Sequence, residues 1–395
     1  MVTLPPERTV PRILLCSHDG LGLGHVRRNC RIAEAILRRH PGADITVITG
    51  VSSRHDWLDG APMRVVRVPT LAKGPDGAYR HASLSLAHAL SRRSRVVLEE
   101  VERLQPHVVV VDRHPTGIDG ELRPGLRAAK RAGAAVILGL RDILDEPSAI
   151  RTELAGPGWA DLASTVDEVL VYGQPLLCDH AAEYALPMRP TYVGVVTAPE
   201  PAGARGGWAT RHTDDLLVVT AGGGSDGSAL TELARGASGH PKAARTVLIA
   251  GPDAYAAVGT DPRIEVVTGT ADCTPWYAAA AASLQMAGYN STFEAIAAGL
   301  RPILVPRRRP RREQAIRAGR LAALGLADLL DHGGGIDDVR WLLDQPRRVT
   351  GEQVRRAGLD LGGADRAAER LLALAGAAPL NRSAGAVATL EAVSA

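Results

Sequence analysis

Short apolar runs rich in Val, Ile and Leu punctuate the chain and alternate with longer stretches of helical spacing. In the first half the runs are RILLC, DITVIT, MRVVRVP, HVVVVD, AAVILGL and DEVLVYG. In the second half they are DLLVVTAGGG, RTVLIAGP, IEVVTG, ASLQMAG and RPILVP. Runs bounded by Gly and Pro, without strict alternation, suit strands covered on both faces. Strands alternating with helices predict parallel sheets. The rhythm stops and restarts across VGVVTAPEPAGARGGWATRH (193–212), a Gly-, Pro- and Ala-rich stretch that reads as a linker. The expected architecture is α/β, with two doubly wound, Rossmann-like domains facing across a cleft. Residues 1–196 form the first domain and 197–353 the second. In the closing segment, 354–395, Val354 to Ala375 reads as one helix packing back towards the first domain, followed by a weakly patterned tail.

Composition changes this picture little. A chain of 395 residues, 45% hydrophobic and 23% charged, is long and apolar enough for two cores. The net charge of +3 argues against a nucleic-acid partner, and the preference for arginine over lysine (Lys73, Lys130, Lys242) fits a GC-rich genome. Cys16, Cys30, Cys178 and Cys273 lie far apart and form no C-x-x-C pair, so neither a zinc site nor a disulfide framework is expected. The opening MVTLPPERTVPRILLC lacks a signal-peptide core, and no apolar run reaches the roughly 18 residues of a membrane span. A cytoplasmic protein is expected. The basic, amphipathic stretch HALSRRSRVVLEEVERL reads as a solvated helix face, with weak contact to an anionic membrane surface as the competing reading.

The candidate chemistry begins in SHDGLGLGHVRR, a glycine-rich loop between a strand and a helix. Such a loop presents backbone N–H groups and the positive end of a helix to an anion or polar ligand. A dinucleotide fingerprint fails here, because Arg27 stands at the third glycine position and the second strand ends on Gly50 instead of an acid. No G-K-[ST] follows, so a P-loop is excluded as well. His18, Asp19, Gly22, Gly24 and His25 remain as candidates; the bland alternative is a tight turn with a buried histidine, and Arg27 and Arg28 read as a solvated helix face. A second glycine loop, TAGGGSDGS, with Gly222, Gly223, Gly224 and Ser225, opens the other half in the same strand-to-helix setting.

The most informative stretch is LQMAGYNSTFEAIAAGLRPILVPRRRPRREQAIRAGRLAALGLADLL. A strand ends near Ala287-Gly288, and Asn290 or Ser291 is positioned to cap a helix that carries Thr292 and Glu294 and stops at Gly299. After the next strand comes a basic loop, 307–312, and a helix beginning near Glu313-Gln314. Arg307 and Arg312 flank the expected crevice, whereas Arg308 and Arg309 read as solvated. A carboxylate there can accept from vicinal ribose hydroxyls, while arginines and helix N-termini neutralise a diphosphate.

SHDGLGLGHVRR, AGYNSTFE and PRRRPRREQAIRA, in this order, resemble the GT-B glycosyltransferases related to the MurG-like N-acetylglucosaminyltransferase (family 28 C-terminal type), closest to a bacterial group of predicted glycosyltransferases that carry all three motifs. The resemblance implies a nucleotide-diphosphate sugar, expected to be UDP-linked, as co-substrate, with no resident cofactor. It implies that Glu294 holds the ribose hydroxyls and Gln314 contacts the sugar. It also places the Gly222–Gly224 loop and Ser225 near the phosphates or base and sets the loop ending in Gly24-His25 at the reacting centre.

Glycosyl transfer with inversion needs a base for the acceptor and positive charge for the leaving diphosphate. His25 is the base candidate, with Asp112, which closes HVVVVD, as its orienting carboxylate; His18 and Asp19 are rivals, and Asp112 also reads as a strand-end cap. Arg113, Glu121, Arg141 and Asp142 follow the fourth and fifth strands and are expected on the acceptor side. Retaining GT-B enzymes carry a second glutamate eight residues before the ribose-binding one, where this chain has Met286, which points to inversion. The lack of a D-x-D motif in a suitable loop points to metal independence. The acceptor, a small molecule or a lipid-linked glycan, stays open. The alternatives are a UDP-sugar 2-epimerase, whose expected glutamate-rich version of GYNSTFEA is missing, and a non-catalytic nucleotide-sugar binder.

Overall fold

The computed structural model describes residues 10–18, 22–53, 55–74, 77–198, 213–221, 228–250, 262–268, 272–307, 311–330 and 333–376. Every apolar run named above becomes a strand, and the strands form two large sheets. The first contains β1 (Arg12–Cys16), β2 (Asp44–Thr49), β3 (Arg64–Arg67), β6 (Val108–Asp112), β7 (Ala135–Arg141), β8 (Glu168–Tyr172) and β9 (Thr191–Tyr192). Its order is β3-β2-β1-β6-β7-β8-β9, and all its pairs are parallel. A small antiparallel hairpin, β4 (Ala72–Lys73) and β5 (Tyr79–Arg80), stands apart. The second large sheet is also parallel, in the order β12-β11-β10-β13-β14-β15. Its strands are β10 (Leu216–Thr220), β11 (Arg245–Ala250), β12 (Ile264–Thr268), β13 (Ala282–Gln285), β14 (Ile303–Leu304) and β15 (Asp328–Leu329).

The reason the runs lack alternation is visible in the packing. Ile13, Leu15, Val108 and Val110 join the core on one face of the first sheet. Their neighbours Leu14, Cys16, Val109 and Val111 join a different core on the other face. The second sheet divides likewise, with Leu217 and Val219 on one side and Leu216 and Val218 on the other. A strand buried on both faces has no polar side to alternate with. The strands β9 and β15 and the hairpin are too short to show in the apolar pattern.

The first helix, Gly24–Arg39, leaves β1 and buries Val26, Cys30, Ile32, Ala33 and Ile36. Near its C-terminus Arg39 pairs with Asp365 and, at 2.9 Å, with Glu369. Those two acids belong to the helix Gly363–Leu374, which packs along the first helix. The approach at its start needs glycine, since a Cβ on Gly363 would collide with the Gly194 carbonyl. The expected single helix from Val354 to Ala375 is corrected to two, Gly351–Arg356 and Gly363–Leu374. Gly358, with φ of +76°, turns the chain out of the first of them. The tail beyond residue 376 lies outside the described residues. Among the described residues no helix is long and apolar enough to cross a membrane.

Candidate active site

In doubly wound sheets, ligands bind beyond the carboxyl ends of the strands where the strand order reverses. Here that point falls between β1 and β6 in the first sheet and between β10 and β13 in the second. The glycine loop and the first helix follow β1, Asp112 ends β6, and the helix Tyr289–Ala297 follows β13. The topology therefore brings the motifs of both halves to equivalent positions.

His25 stands at the second position of the first helix, and its Nδ1 lies 2.7 Å from Asp112 Oδ2. Arg28 follows one turn later on the same helix face and donates through Nη2 to both Asp112 oxygens, at 2.8 and 2.6 Å. Asp112 is 2% exposed. Burial pushes its carboxyl up, but the Arg28 and His25 charges overcome this and hold it at about 2. An ionised carboxylate only accepts, so the bond at 2.7 Å puts a proton on His25 Nδ1, and in the neutral imidazole that tautomer makes Nε2 the acceptor. The side chain of His25 is 24% exposed, within reach of a ligand. The Arg28 guanidinium lies 5.0 Å from the Tyr172 ring centre and 5.7 Å from that of Tyr289.

Arg27 and Arg28, expected on a solvated face, are both largely buried, and this is a correction. Arg28 serves Asp112, while Arg27 Nη2 reaches across to Glu294 Oε1 and Oε2 at 2.6 and 2.8 Å. Glu294 is 4% exposed, and burial pushes its carboxyl up against the opposing pull of Arg27. Next to it, Asn290 Nδ2 donates to the Gly24 carbonyl at 3.1 Å. Gly288, not Asn290 or Ser291, is the N-cap of the helix, and it makes no side-chain cap bond. The Ser291 hydroxyl instead donates to Gly288 O at 3.4 Å, and Thr292 is fully buried.

The helix Glu313–Ala323 begins where expected. Gln314 Oε1 accepts from the backbone N–H of Arg307 at 3.0 Å, and the buried Glu313 carboxylate lies 3.6 Å from Arg141 Nη2 and 3.8 Å from Arg307 Nη2. Arg312 is half-exposed and pairs with Glu146 at 2.9 Å. Asp19, Gly222, Gly223, Gly224, Ser225, Arg308 and Arg309 lie outside the described residues.

On the first-sheet side, His18 Nε2 lies 2.9 Å from the Tyr79 hydroxyl. The His18 ring stands 5.8 Å from that of His25 and 4.6 Å from that of His114. Burial and the His25 charge press its pKa down to about 3, so it stays neutral. No heavy atom beyond its chain neighbours lies within 4 Å of where a Cβ on Gly22 would point. Arg113 contacts Glu153 at 2.7 Å. Glu121 is buried beside Arg93 at 3.3 Å. Arg141 and Asp142, expected on the acceptor side, both have partners within the protein. Asp142 is fully buried and accepts from Arg317 Nε and Nη2 at 2.7 and 2.6 Å. Arg141 donates to the carbonyls of Ile143 and Leu144 at 2.9 and 3.1 Å. Burial lowers the Arg141 pKa to about 10.

Sequence reasoning missed Arg27, Arg28, Tyr79, His114 and Arg317. Arg27 and Arg28 close SHDGLGLGHVRR and Arg317 lies in PRRRPRREQAIRA, but the motifs alone name no partner for them.

No family model matches the chain, nor does any curated protein. Solved structures do resemble it. LpCGTa in complex with UDP is 17% identical over 93% of this chain and 99% of its own, with a TM-score of 0.59. Phytolacca americana UGT2, complexed with UDP-2fluoro-glucose and pterostilbene, is 15% identical over 93% and 94%, with a TM-score of 0.56. The spinosyn rhamnosyltransferase SpnG complexed with thymidine diphosphate is 16% identical over 93% and 97%, with a TM-score of 0.53. The likeness covers 93% of the chain and so extends over both sheets, and the chain therefore has the GT-B fold.

Proposed function

We propose that this protein is an inverting, metal-independent glycosyltransferase that moves a hexose or N-acetylhexosamine from a UDP-sugar to an acceptor hydroxyl. The observation that carries the reading is the His25–Asp112 pair, 2.7 Å apart, at the switch point facing the Tyr289–Ala297 helix. In this mechanism His25 Nε2 takes the acceptor proton as the hydroxyl oxygen attacks the anomeric carbon. The bond from that carbon to the diphosphate breaks on the opposite face, and the nucleoside diphosphate leaves with the electron pair. Asp112 keeps Nδ1–H in place and stabilises the imidazolium as it forms, in the way a buried carboxylate orients a catalytic histidine. The helix opened by Gly288 turns its N-terminal N–H groups towards the leaving diphosphate. Glu294 reads the ribose, with Asn290, Arg307 and Gln314 around the donor. The nucleotides bound in the LpCGTa and SpnG complexes support a nucleotide-sugar donor.

The test is release of UDP from UDP-sugars by the wild type and by His25→Ala. The variant should bind UDP as the wild type does while turning over about 10²- to 10⁴-fold more slowly, the range of lost acid–base catalysis. Appearance of a C2 epimer would move the chemistry to a 2-epimerase. Binding of UDP-sugar without any turnover would leave a sensor.

A further inference from the structure

We propose that the acceptor carries an anionic group, a phosphate or a carboxylate, and that Lys73, Arg113 and Arg311 bind it beside His18 and His114. The proposal deepens the glycosyltransferase reading and rests on it for the word acceptor.

The hairpin β4–β5 reaches the loop after β1, where the Tyr79 hydroxyl lies 2.9 Å from His18 Nε2. From that hairpin the Lys73 ammonium lies 4.9 Å from the centre of the Tyr79 ring. Among the described residues it pairs with no carboxylate. Arg113 follows β6 directly and holds a left-handed backbone, φ +74°, which costs a non-glycine residue free energy. Its long cationic side chain is buried, with the residue 4% exposed. One nitrogen, Nη2, meets Glu153; Nε and Nη1 are buried and have no partner among the described residues. Arg311 comes from the other half, and its Nε lies 4.0 Å from Asp145 Oδ2.

A chain of contacts joins Lys73 to Arg113: Tyr79 under the Lys73 ammonium meets His18, the His18 ring faces His114, and His114 Nδ1 lies 3.6 Å from Glu153, which Arg113 holds at 2.7 Å. Burial and then the charges of Arg311 and Arg113 lower the Lys73 pKa, with Glu153 as the opposing acid. Burial and then Arg113, His18, Lys73 and Arg311 drive the His114 pKa down, so that this ring is neutral. Three cations with only Glu153 and Asp145 beside them, and two buried Arg113 donors left unpaired, are unfavourable until an anion completes them. A phosphate or carboxylate does so, since it accepts several charge-assisted bonds at once. The site also lies at a useful distance from the reacting centre. The ring of His18 spans it, 5.8 Å from that of His25 and 4.6 Å from that of His114. An acceptor anchored by its anion at Arg113 would thus present a hydroxyl several bonds away to His25.

The test uses phenyl phosphate and its neutral counterpart benzyl alcohol, titrated calorimetrically into the whole protein with and without UDP. Wild type should bind phenyl phosphate and not benzyl alcohol. Lys73→Gln, a change on a half-exposed hairpin, should weaken phenyl phosphate about 10-fold or more, the worth of one charge-assisted bond, and leave UDP affinity unchanged. Arg113→Gln should weaken it further. Three outcomes overturn the proposal: equal binding of the two probes, equal binding by wild type and both variants, or displacement of phenyl phosphate by UDP, which would place the anion at the donor diphosphate site. These readouts do not need turnover, so failure to bind UDP would sink the glycosyltransferase reading separately. Co-sedimentation with phosphatidylcholine vesicles, with and without phosphatidic acid, identifies the source of the anion. Lys73-dependent binding to the acidic vesicles alone assigns it to a lipid headgroup, and phenyl phosphate binding without vesicle binding assigns it to a soluble acceptor.

Discussion

Glu121 shows how a single side chain can set the pH response of the site's floor. It is buried against Arg93 at 3.3 Å, yet burial outweighs that cation and lifts its carboxyl from 4.5 to about 7. Between those values the folded protein holds a proton that the unfolded chain releases, so stability falls as pH rises through this window. The full effect is on the order of 3 kcal/mol, present below the window and lost above it. Urea unfolding of wild type and Glu121→Gln from pH 4.5 to 8 should show a stability difference that shifts in favour of the variant as pH rises. A constant difference would mean that Glu121 is ionised throughout. At this scale the sequence was partly readable. His25 and Asp112 could be singled out by type and position, but the strand-end cap and the buried turn histidine were competing readings until the fold paired the two at 2.7 Å. Arg28 could not, since an arginine on a helix acquires meaning only when the sheet brings Asp112 beneath it.

At the scale of elements, the helix Glu313–Ala323 is anchored by Arg317, whose guanidinium meets Asp142 and, at 2.7 Å, the Ala287 carbonyl. All three partners are buried, and they belong to the loops after β7 and β13 and to this helix, so one side chain ties the two sheets together. Arg317→Ala leaves Asp142 as an uncompensated buried charge and should cost about 3–5 kcal/mol. Thermal unfolding checks this, with Tm expected to fall by several degrees; an unchanged Tm would show that water reaches Asp142. Arg317→Lys should recover only part of the loss, because an ammonium cannot reproduce the fork on both oxygens. Element existence was legible wherever a buried strand needed a Val- or Ile-rich run. Boundaries were less so. The split between Gly351–Arg356 and Gly363–Leu374 depends on Gly358 and on the close approach of Gly363 to Gly194, which no helical periodicity records.

Across the whole molecule the two halves meet through Arg27–Glu294, Asn290–Gly24 and Tyr289, whose hydroxyl donates to Tyr172 O at 2.8 Å. The Arg27 contact bears on the donor. A carboxylate has about four acceptor positions, so Glu294 has acceptor capacity beyond its two contacts with Arg27. On the proposed reading, UDP should bind about 10- to 150-fold more tightly than 2′-deoxy-UDP, and Glu294→Ala should erase most of that preference. Calorimetry on both nucleotides and both proteins gives the comparison; a preference that survives in Glu294→Ala would show that the carboxylate serves Arg27 alone. The sequence by itself determined the longer strands, the parallel α/β class and the position of the glycine turns between strand and helix. These follow from local patterns, namely burial on both faces, glycine at strand-to-helix turns and polar residues at strand ends. Only the tertiary structure decided the partners. Which arginine serves Asp112, which reaches Glu294 and which cations converge on His114 depend on strand order and on how the two halves face each other. Those contacts join residues up to 267 positions apart, and the pattern along the chain carries no record of them.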